Sequence, residues 1–161
     1  MDISNYKTYI SSETMMGPNS IRILAELVDK YPLQFVPDDI ILDLGCGTGL
    51  TSLVIAKETK AKVIANDLWI SAEDNGKRFA KWGVKDQVTP MCEDANHLHF
   101  ERKQFRALIS IDSYHYFAGF KGFFQEKILP FVKDNGTVLI GIPGLKDEYT
   151  GRAKELLSDW L

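Results

Sequence analysis

Apolar and polar positions follow two rhythms along this chain. Short apolar runs at Asp39 to Leu44, Lys62 to Ala65, Phe105 to Ile111 and Thr137 to Ile142 are separated by longer amphipathic stretches. That alternation is the pattern of buried parallel strands joined by crossover helices. Asn19 or Ser20 caps a predicted helix whose Ile21, Leu24, Ala25 and Val28 share one face, and Tyr31-Pro32 ends it. A second helix buries Leu50, Leu53 and Val54, and a third is capped by Ser71 and closed by Gly83. Gln87 to Met91 reads as a strand at a sheet edge, because Pro90 has no N–H to give a ladder. Phe120, Phe123, Phe124, Ile128 and Phe131 fall at helical spacing and predict a core-facing helix over 120–132, kinked or restarted at Pro130. Asn135-Gly136 then turns into the last strand, and Ala153, Leu156, Leu157 and Trp160 share a face of a final helix.

Composition sets bounds on this picture. With 161 residues, 45% of them apolar, the chain has enough side chains for the core of one domain spanning 1–161. Residues 1–18 form an arm ahead of the first helix, either a lid over the site or a helix packed on the sheet, and residues 143–161 a C-terminal helical segment. A formal charge of -3 does not supply the broad positive field of a dedicated nucleic-acid binder, so nucleic acid is not an expected partner. No apolar run approaches the ~20 residues that cross a bilayer, and MDISNYKTYI lacks a basic region followed by an apolar one. The expected location is the cytoplasm. Cys46 and Cys92 have no ligand spacing and are expected as free thiols, while His97-Leu98-His99 lacks the further ligands of a metal site.

The chemistry concentrates in Asp43-Leu44-Gly45-Cys46-Gly47-Thr48-Gly49. Gly45 and Gly47 begin a dinucleotide fingerprint, but its third glycine would fall at Leu50. An acid followed by alternating glycines lets backbone approach a ligand that carries positive charge, although a tight strand-to-helix turn alone is the plainer alternative. Cys46 needs only to be small there. Asp67 ends the second strand about twenty residues beyond the turn, where an acid can accept from ribose hydroxyls.

The seven residues from Asp43 to Gly49 match without a gap the first motif of class I S-adenosylmethionine-dependent methyltransferases, which the chain resembles from about Ile21 to Ile142. The resemblance implies a Rossmann-like, doubly wound α/β fold with five strands in the order 3-2-1-4-5. It implies S-adenosyl-L-methionine as cofactor and S-adenosyl-L-homocysteine as product, held by Asp43, Gly45, Cys46 and Gly47. Asp67 takes the ribose role, and Leu68 and Trp69 wall the adenine, with core packing as the alternative for Trp69. Glu93-Asp94-Ala95 is similar to the family's acidic motif, which assigns Asp94 to the adenine amino group beside Ala95 and leaves Glu93 a solvated charge. Acids at the ends of three strands would converge on one crevice.

Asp112 closes the fourth strand at the same rim, and the stretch Asp112-Ser113-Tyr114-His115 stands where methyltransferases of bases or glutamine carry N-P-P-Y or D-P-P-Y. The departure points to a small-molecule acceptor, as in the group that includes quinone C-methyltransferases and cyclopropane fatty-acid synthase relatives. On the rim stretch from Asp112 to Phe117, His115 is the candidate base because its ordinary pKa lies near neutrality, with packing or hydrogen bonding on the rim as its alternative, and Tyr114 and Tyr116 are candidates to shape the pocket or orient the acceptor. A domain that holds the cofactor without turnover is the second reading. A nicotinamide oxidoreductase is the third, disfavoured by Asp43 and Leu50. Members of the family continue past the fifth strand, so the chain is expected to be a shortened form. The apolar fifth strand would then lie at an open edge, covered by Ala153 to Leu161, by a second subunit in a homo-oligomer, or by both.

Overall fold

A five-stranded parallel sheet forms the centre of the computed structural model, which describes residues 1–32, 35–36, 38–144 and 152. Strands β1 (Ile40–Leu44), β2 (Lys62–Asn66), β3 (Val88–Met91), β4 (Phe105–Ile111) and β5 (Val132–Gly141) stand in the order β3-β2-β1-β4-β5. This is the order that the resemblance implies. Helices α1 (Ser20–Lys30), α2 (Leu50–Thr59), α3 (Ala72–Lys81) and the short α4 (Tyr114–Phe117) connect or flank them, and Ile3–Tyr9 forms a 3-10 helix.

Side chains of a strand alternate between its faces, and the sheet uses both. Ile41 and Ile109 join Leu53, Val54, Ile21 and Leu24 in one buried cluster. Leu42, Leu44 and Leu108 join Phe105, Phe123 and Ile128 in the other. Helix α2 is buried from Leu50 through Ala56 because α1 packs across it while the sheet lies beneath. The helix ends follow local chemistry: the Asn19 and Ser71 side chains accept from the N–H groups of Arg22 and Asp74. Gly83, at φ +71°, closes α3 with Gly83 N–H to Ala80 O and Val84 N–H to Phe79 O, a Schellman motif. Pro90 sits on the edge strand β3, opposite Ala65.

Two predicted elements come out differently. The helix expected over 120–132 is reduced to a π turn at Phe124–Ile128 and a 3-10 turn at Leu129–Phe131. Pro130 removes a donor and Gly122 takes φ +101°, so a regular ladder cannot run through the segment. Phe123 and Ile128 reach the core as expected, whereas Phe120 is exposed. The fifth strand begins at Val132 rather than Thr137. Phe105 pairs with Val132 and Ala107 with Thr137, so Lys133 to Gly136 bulge opposite Arg106. Asn135 adopts φ +60° in this bulge, and a Cβ on Gly136 would meet the carbonyl oxygens of Lys133 at 2.8 Å and Arg106 at 3.0 Å. The predicted turn residues therefore shape a bulge inside a strand.

The arm is anchored by Tyr6, buried against the α2 side of the sheet with its hydroxyl donating to Glu58. β5 lies at the sheet edge, and the helix predicted over Ala153 to Leu161 lies outside the described residues. No helix among the described residues is long and apolar enough to cross a membrane. Phe105 is fully buried and edge-on to Phe100 at 4.8 Å between ring centroids. Phe105→Ala is expected to lower unfolding free energy by about 3–5 kcal/mol in urea titration, through lost transfer energy plus a cavity.

Candidate functional site

The carboxyl ends of β1, β2, β3 and β4 open into a cleft of about 300 Å³, closed on one side by Thr14 to Pro18 of the arm. Gly45 and Gly47 form its floor at φ +74° and +55°, conformations that glycine adopts without strain. A Cβ on Gly47 would meet Met16 Sδ at 3.0 Å, and one on Gly49 would drive into the Phe79 ring. Thr48 Oγ1 donates to the Thr14 carbonyl at 2.5 Å, tying the arm to the turn. Within residues 1–18, Ile3–Tyr9 forms a 3-10 helix and Thr14 to Pro18 wall the cleft.

Asp67 holds the loops in register. Its Oδ2 accepts from Gly47 N–H at 2.8 Å, and its Oδ1 from Trp69 N–H at 2.8 Å and Ile70 N–H at 3.0 Å. A carboxylate has about four acceptor positions, so about one remains for anything in the cleft. Asn66 is a second hub. Its carbonyl accepts from Gly45 and Cys46, while its side chain exchanges hydrogen bonds of 2.9 Å with the Glu93 backbone. Asp94 accepts from the backbone and side chain of Asn96 at 2.8 and 3.0 Å, and the backbone bond in particular lowers its pKa. His97 Nδ1 lies 3.2 Å from Asp94, and His99 Nδ1 lies 3.7 Å from Glu93.

The far wall comes from the end of β4. Asp112 adopts φ +56°, uncommon for a residue with a side chain, with its N–H bonded to Gly141 O at 2.7 Å. A Cβ on Gly17 would stand 2.8 Å from Asp112 Oδ2, so arm and rim are in close contact. Ser113 Oγ bonds Ser110 Oγ at 2.8 Å and donates to Leu44 O at 3.0 Å. At the mouth the rings of Trp69 and Tyr116 meet at 5.3 Å.

Of the residues singled out in the sequence, Gly45, Cys46, Gly47, Asp67, Leu68 and Trp69 line this cleft, as do Asp94, Ala95 and Asp112. Trp69 is 67% exposed, which excludes core packing for it. Three of the predicted residues do not line it. Asp43 is 0% exposed, because strand alternation sets it on the α2 face with Ile41, where its Oδ2 accepts from Thr51 at 2.6 Å and Ser52 at 2.5 Å. Its Oδ1 is buried without a partner among the described residues. His115 points outside the cleft, exposed, with its ring on Tyr116 at 4.1 Å. Tyr114 packs among Phe117 and Phe123 on the opposite cluster, and burial raises its pKa. On the helical turn from Tyr114 to Phe117 it is Tyr116, at the exposed mouth, and Phe117, which also packs on Tyr114, that border the cleft.

Ser113, Tyr116 and Phe117 belong to the rim stretch expected to face the acceptor, and they line the cleft; Asn66 and Asn96 were not foreseen as site residues, each adjoins one that was, and adjacency was the only signal in the sequence. Cys46 is a buried thiol whose pKa burial pushes well up, so it is not an activated nucleophile.

Residues 41–136 match the family model for a methyltransferase domain. No curated protein matches the chain in sequence. Among solved structures, phosphoethanolamine N-methyltransferase 2 of Haemonchus contortus, in complex with S-adenosyl-L-methionine, is 24% identical at a TM-score of 0.75, covering 97% of this chain and 36% of that one. Geranyl diphosphate C-methyltransferase of Streptomyces coelicolor A3(2), in complex with Mg2+, geranyl diphosphate and S-adenosyl-L-homocysteine, is 19% identical at 0.61, covering 74% and 43%. YjhP of E. coli is 22% identical at 0.64, covering 87% and 54%. These likenesses concern the fold, and the chain spans well under two thirds of each of these structures.

Burial pushes the Asp43 carboxyl from its ordinary 3.8 up to about 6, outweighing the Ser52 and Thr51 hydroxyls, which lower it. The folded value exceeds the unfolded one, so the proton favours the folded state. That contribution is full below about pH 4 and is lost as pH rises through about 6. The difference in unfolding free energy between parent and Asp43→Asn, measured by denaturant titration, is expected to shift in favour of the parent by on the order of 2–3 kcal/mol as pH falls from 7 to 4.

Proposed function

The chain belongs to the methyltransferase-domain family, and on that premise we propose that it binds S-adenosylmethionine across the glycine turn and transfers its methyl group to a small-molecule acceptor. The observation that carries this reading is the convergence of Gly45 and Gly47, Asp67, Asp94 and Asp112 in one cleft at the carboxyl ends of four strands. The residues present suit the cofactor. Gly45 and Gly47 line the cleft with backbone that Ser113 and Met16 pack against from the side a Cβ would take, and the acids around it suit a group with an ammonium and a sulfonium.

When bound, S-adenosylmethionine supplies an electrophilic methyl group for in-line displacement. The chain's residues then divide the work. Asp67 keeps the Gly47 and Trp69 loops in place and has an acceptor position left for one ribose hydroxyl rather than for both. Asp94 accepts from the adenine amino group, and Leu68 and Trp69 cover the adenine. The Trp69–Tyr116 pair narrows the mouth and excludes water, while Ser113, Tyr116 and Phe117 face the acceptor.

The second reading, a domain that holds the cofactor without turnover, is favoured by one observation: neither His115 nor Tyr114 lines the cleft. An acceptor that arrives already deprotonated needs neither. Titration calorimetry with S-adenosylmethionine, S-adenosylhomocysteine and NAD tests the cofactor, and binding of NAD alone would reject it. Turnover against a metabolite panel separates enzyme from holding domain.

Two variants sharpen the assignment. Asp67→Asn is expected to weaken S-adenosylmethionine binding by about 1–3 kcal/mol, through the ribose and through the loop bonds it shares. An unchanged affinity in a folded protein would remove Asp67 from the site. His115→Ala is expected to leave affinity and turnover within about twofold of the parent, since removing a general base would cost roughly 10² or more.

A further inference from the structure

Helix α3 reaches the glycine turn through a side chain that no motif points to. Asn75 is 0% exposed, and its Nδ2 donates to the Gly47 carbonyl at 2.9 Å and to Cys46 Sγ at 3.7 Å. Its Oδ1 accepts from Arg78 Nη1 at 2.8 Å. A guanidinium only donates and a carbonyl only accepts, so these two neighbours fix which end of the amide faces the turn. We propose that Asn75, oriented by Arg78, is a positioning residue that holds the glycine turn in its cofactor-binding conformation. The ligand part of this inference rests on the S-adenosylmethionine reading above.

Gly47 lies at φ +55° and has no side chain to hold it there. Its two flanking peptides are pinned from different elements. The preceding one gives its N–H to Asp67 Oδ2 at 2.8 Å, at the end of β2; the following one gives its carbonyl to Asn75, on α3. Both soft torsions of Gly47 are therefore set from outside the turn. The peptide is trans, so turning the Gly47 carbonyl toward α3 turns the Thr48 N–H away from it. Thr48 in turn bonds the arm that closes the cleft. Without the Asn75 donor, the part-buried Gly47 carbonyl keeps only the Cys46 thiol at 3.5 Å and the Gly47–Thr48 peptide is free to rotate; the bond to Asp67 then holds Gly47 from one side alone, so its N–H opens more often and the floor of the cleft moves. Phe79, one turn along α3, packs over Gly49 and sets the distance between helix and turn, but it exerts no hold on peptide orientation.

Asn75→Asp tests this at constant size. One oxygen of the new carboxyl can keep the Arg78 contact, while the other faces the Gly47 carbonyl without a proton to give. Arg78→Met, at a half-buried position, removes the orienting donor and leaves Asn75 itself. Amide hydrogen exchange of residues 45–49 and calorimetric Kd for S-adenosylhomocysteine are measured on parent and variants. For Asn75→Asp, exchange of the Gly47 amide faster by about tenfold and a Kd weaker by about tenfold are expected, with roughly threefold effects for Arg78→Met and recovery in Arg78→Lys. Acid should bring the Kd ratio of Asn75→Asp to parent back toward one, as the new carboxyl gains a proton to donate. Asp67 and Asp43 across the turn, the Cys46 thiol and Arg78 on α3 face this position in both proteins, so the ratio reports the added carboxyl together with the effect of its charge on them.

Parent-like exchange at 45–49 in both variants overturns the proposal, whether or not ligand binds. Faster exchange with an unchanged Kd also overturns it, leaving Asn75 a structural residue only. A parent that fails to bind S-adenosylhomocysteine overturns the cofactor reading, and the exchange data then decide by themselves whether Asn75 holds the turn.

Discussion

Asp67 gathers Gly47 N–H from the glycine turn with Trp69 and Ile70 N–H from its own loop on one largely buried carboxylate. Hydrogen bonds to an ionised acceptor are the strong ones, and here they join the loops that follow β1 and β2 into a single wall. Asn66, one residue earlier, extends the wall to β3 through its reciprocal bonds with Glu93. Asn75 fastens the same turn from α3. The cleft thus depends on a polar lattice in which strand ends, rather than long loops, supply the fixed points. Only the position left open on Asp67, the acids beyond it and the aromatic mouth face outward.

A different carboxylate supports the lattice from below. Asp43 is placed by strand alternation under the first turn of α2, where Thr51 and Ser52 satisfy one of its oxygens. Burial raises its pKa, and its Oδ1 is buried without a partner among the described residues. The site therefore carries a destabilising element at neutral pH, a common feature of sites in which a charge is held where solvent cannot reach. Asp112 adds a second such element in its left-handed backbone.

The strands and the caps at Asn19 and Ser71 were legible because each rests on local chemistry or on an apolar run long enough to read, while the order of the strands followed from the family resemblance. The glycine turn and Asp67 were legible for the same reason: a fixed spacing along one βαβ unit fixes a spacing in space. In the segment from Phe120 to Phe131 the break at Pro130 was legible, but the loss of a regular helix ahead of it was not, because helical periodicity of aromatic residues does not show that Gly122 takes φ +101°. Asn135-Gly136 looked like a turn between elements and became a bulge, since left-handed residues serve both and only pairing with β4 distinguishes them.

The sequence by itself determined the sheet, the glycine turn and the acids that end β2 and β3, because a strand end and its first loop residue are positioned by the strand. Tertiary structure alone decided which neighbours face the cleft. At the end of β4, one helical turn rotates successive side chains by about 100°, and this packs Tyr114 and Phe117, three residues apart, together on Phe123 with Phe117 also bordering the cleft, leaves His115 in solvent and sets Tyr116 at the mouth. For Asp43, the period of two that makes a strand recognisable also assigns a face, and only the packing of α2 shows that this face is a buried one. Asn75 owes its place to contact between elements distant in sequence, a relation that no spacing within the motif encodes.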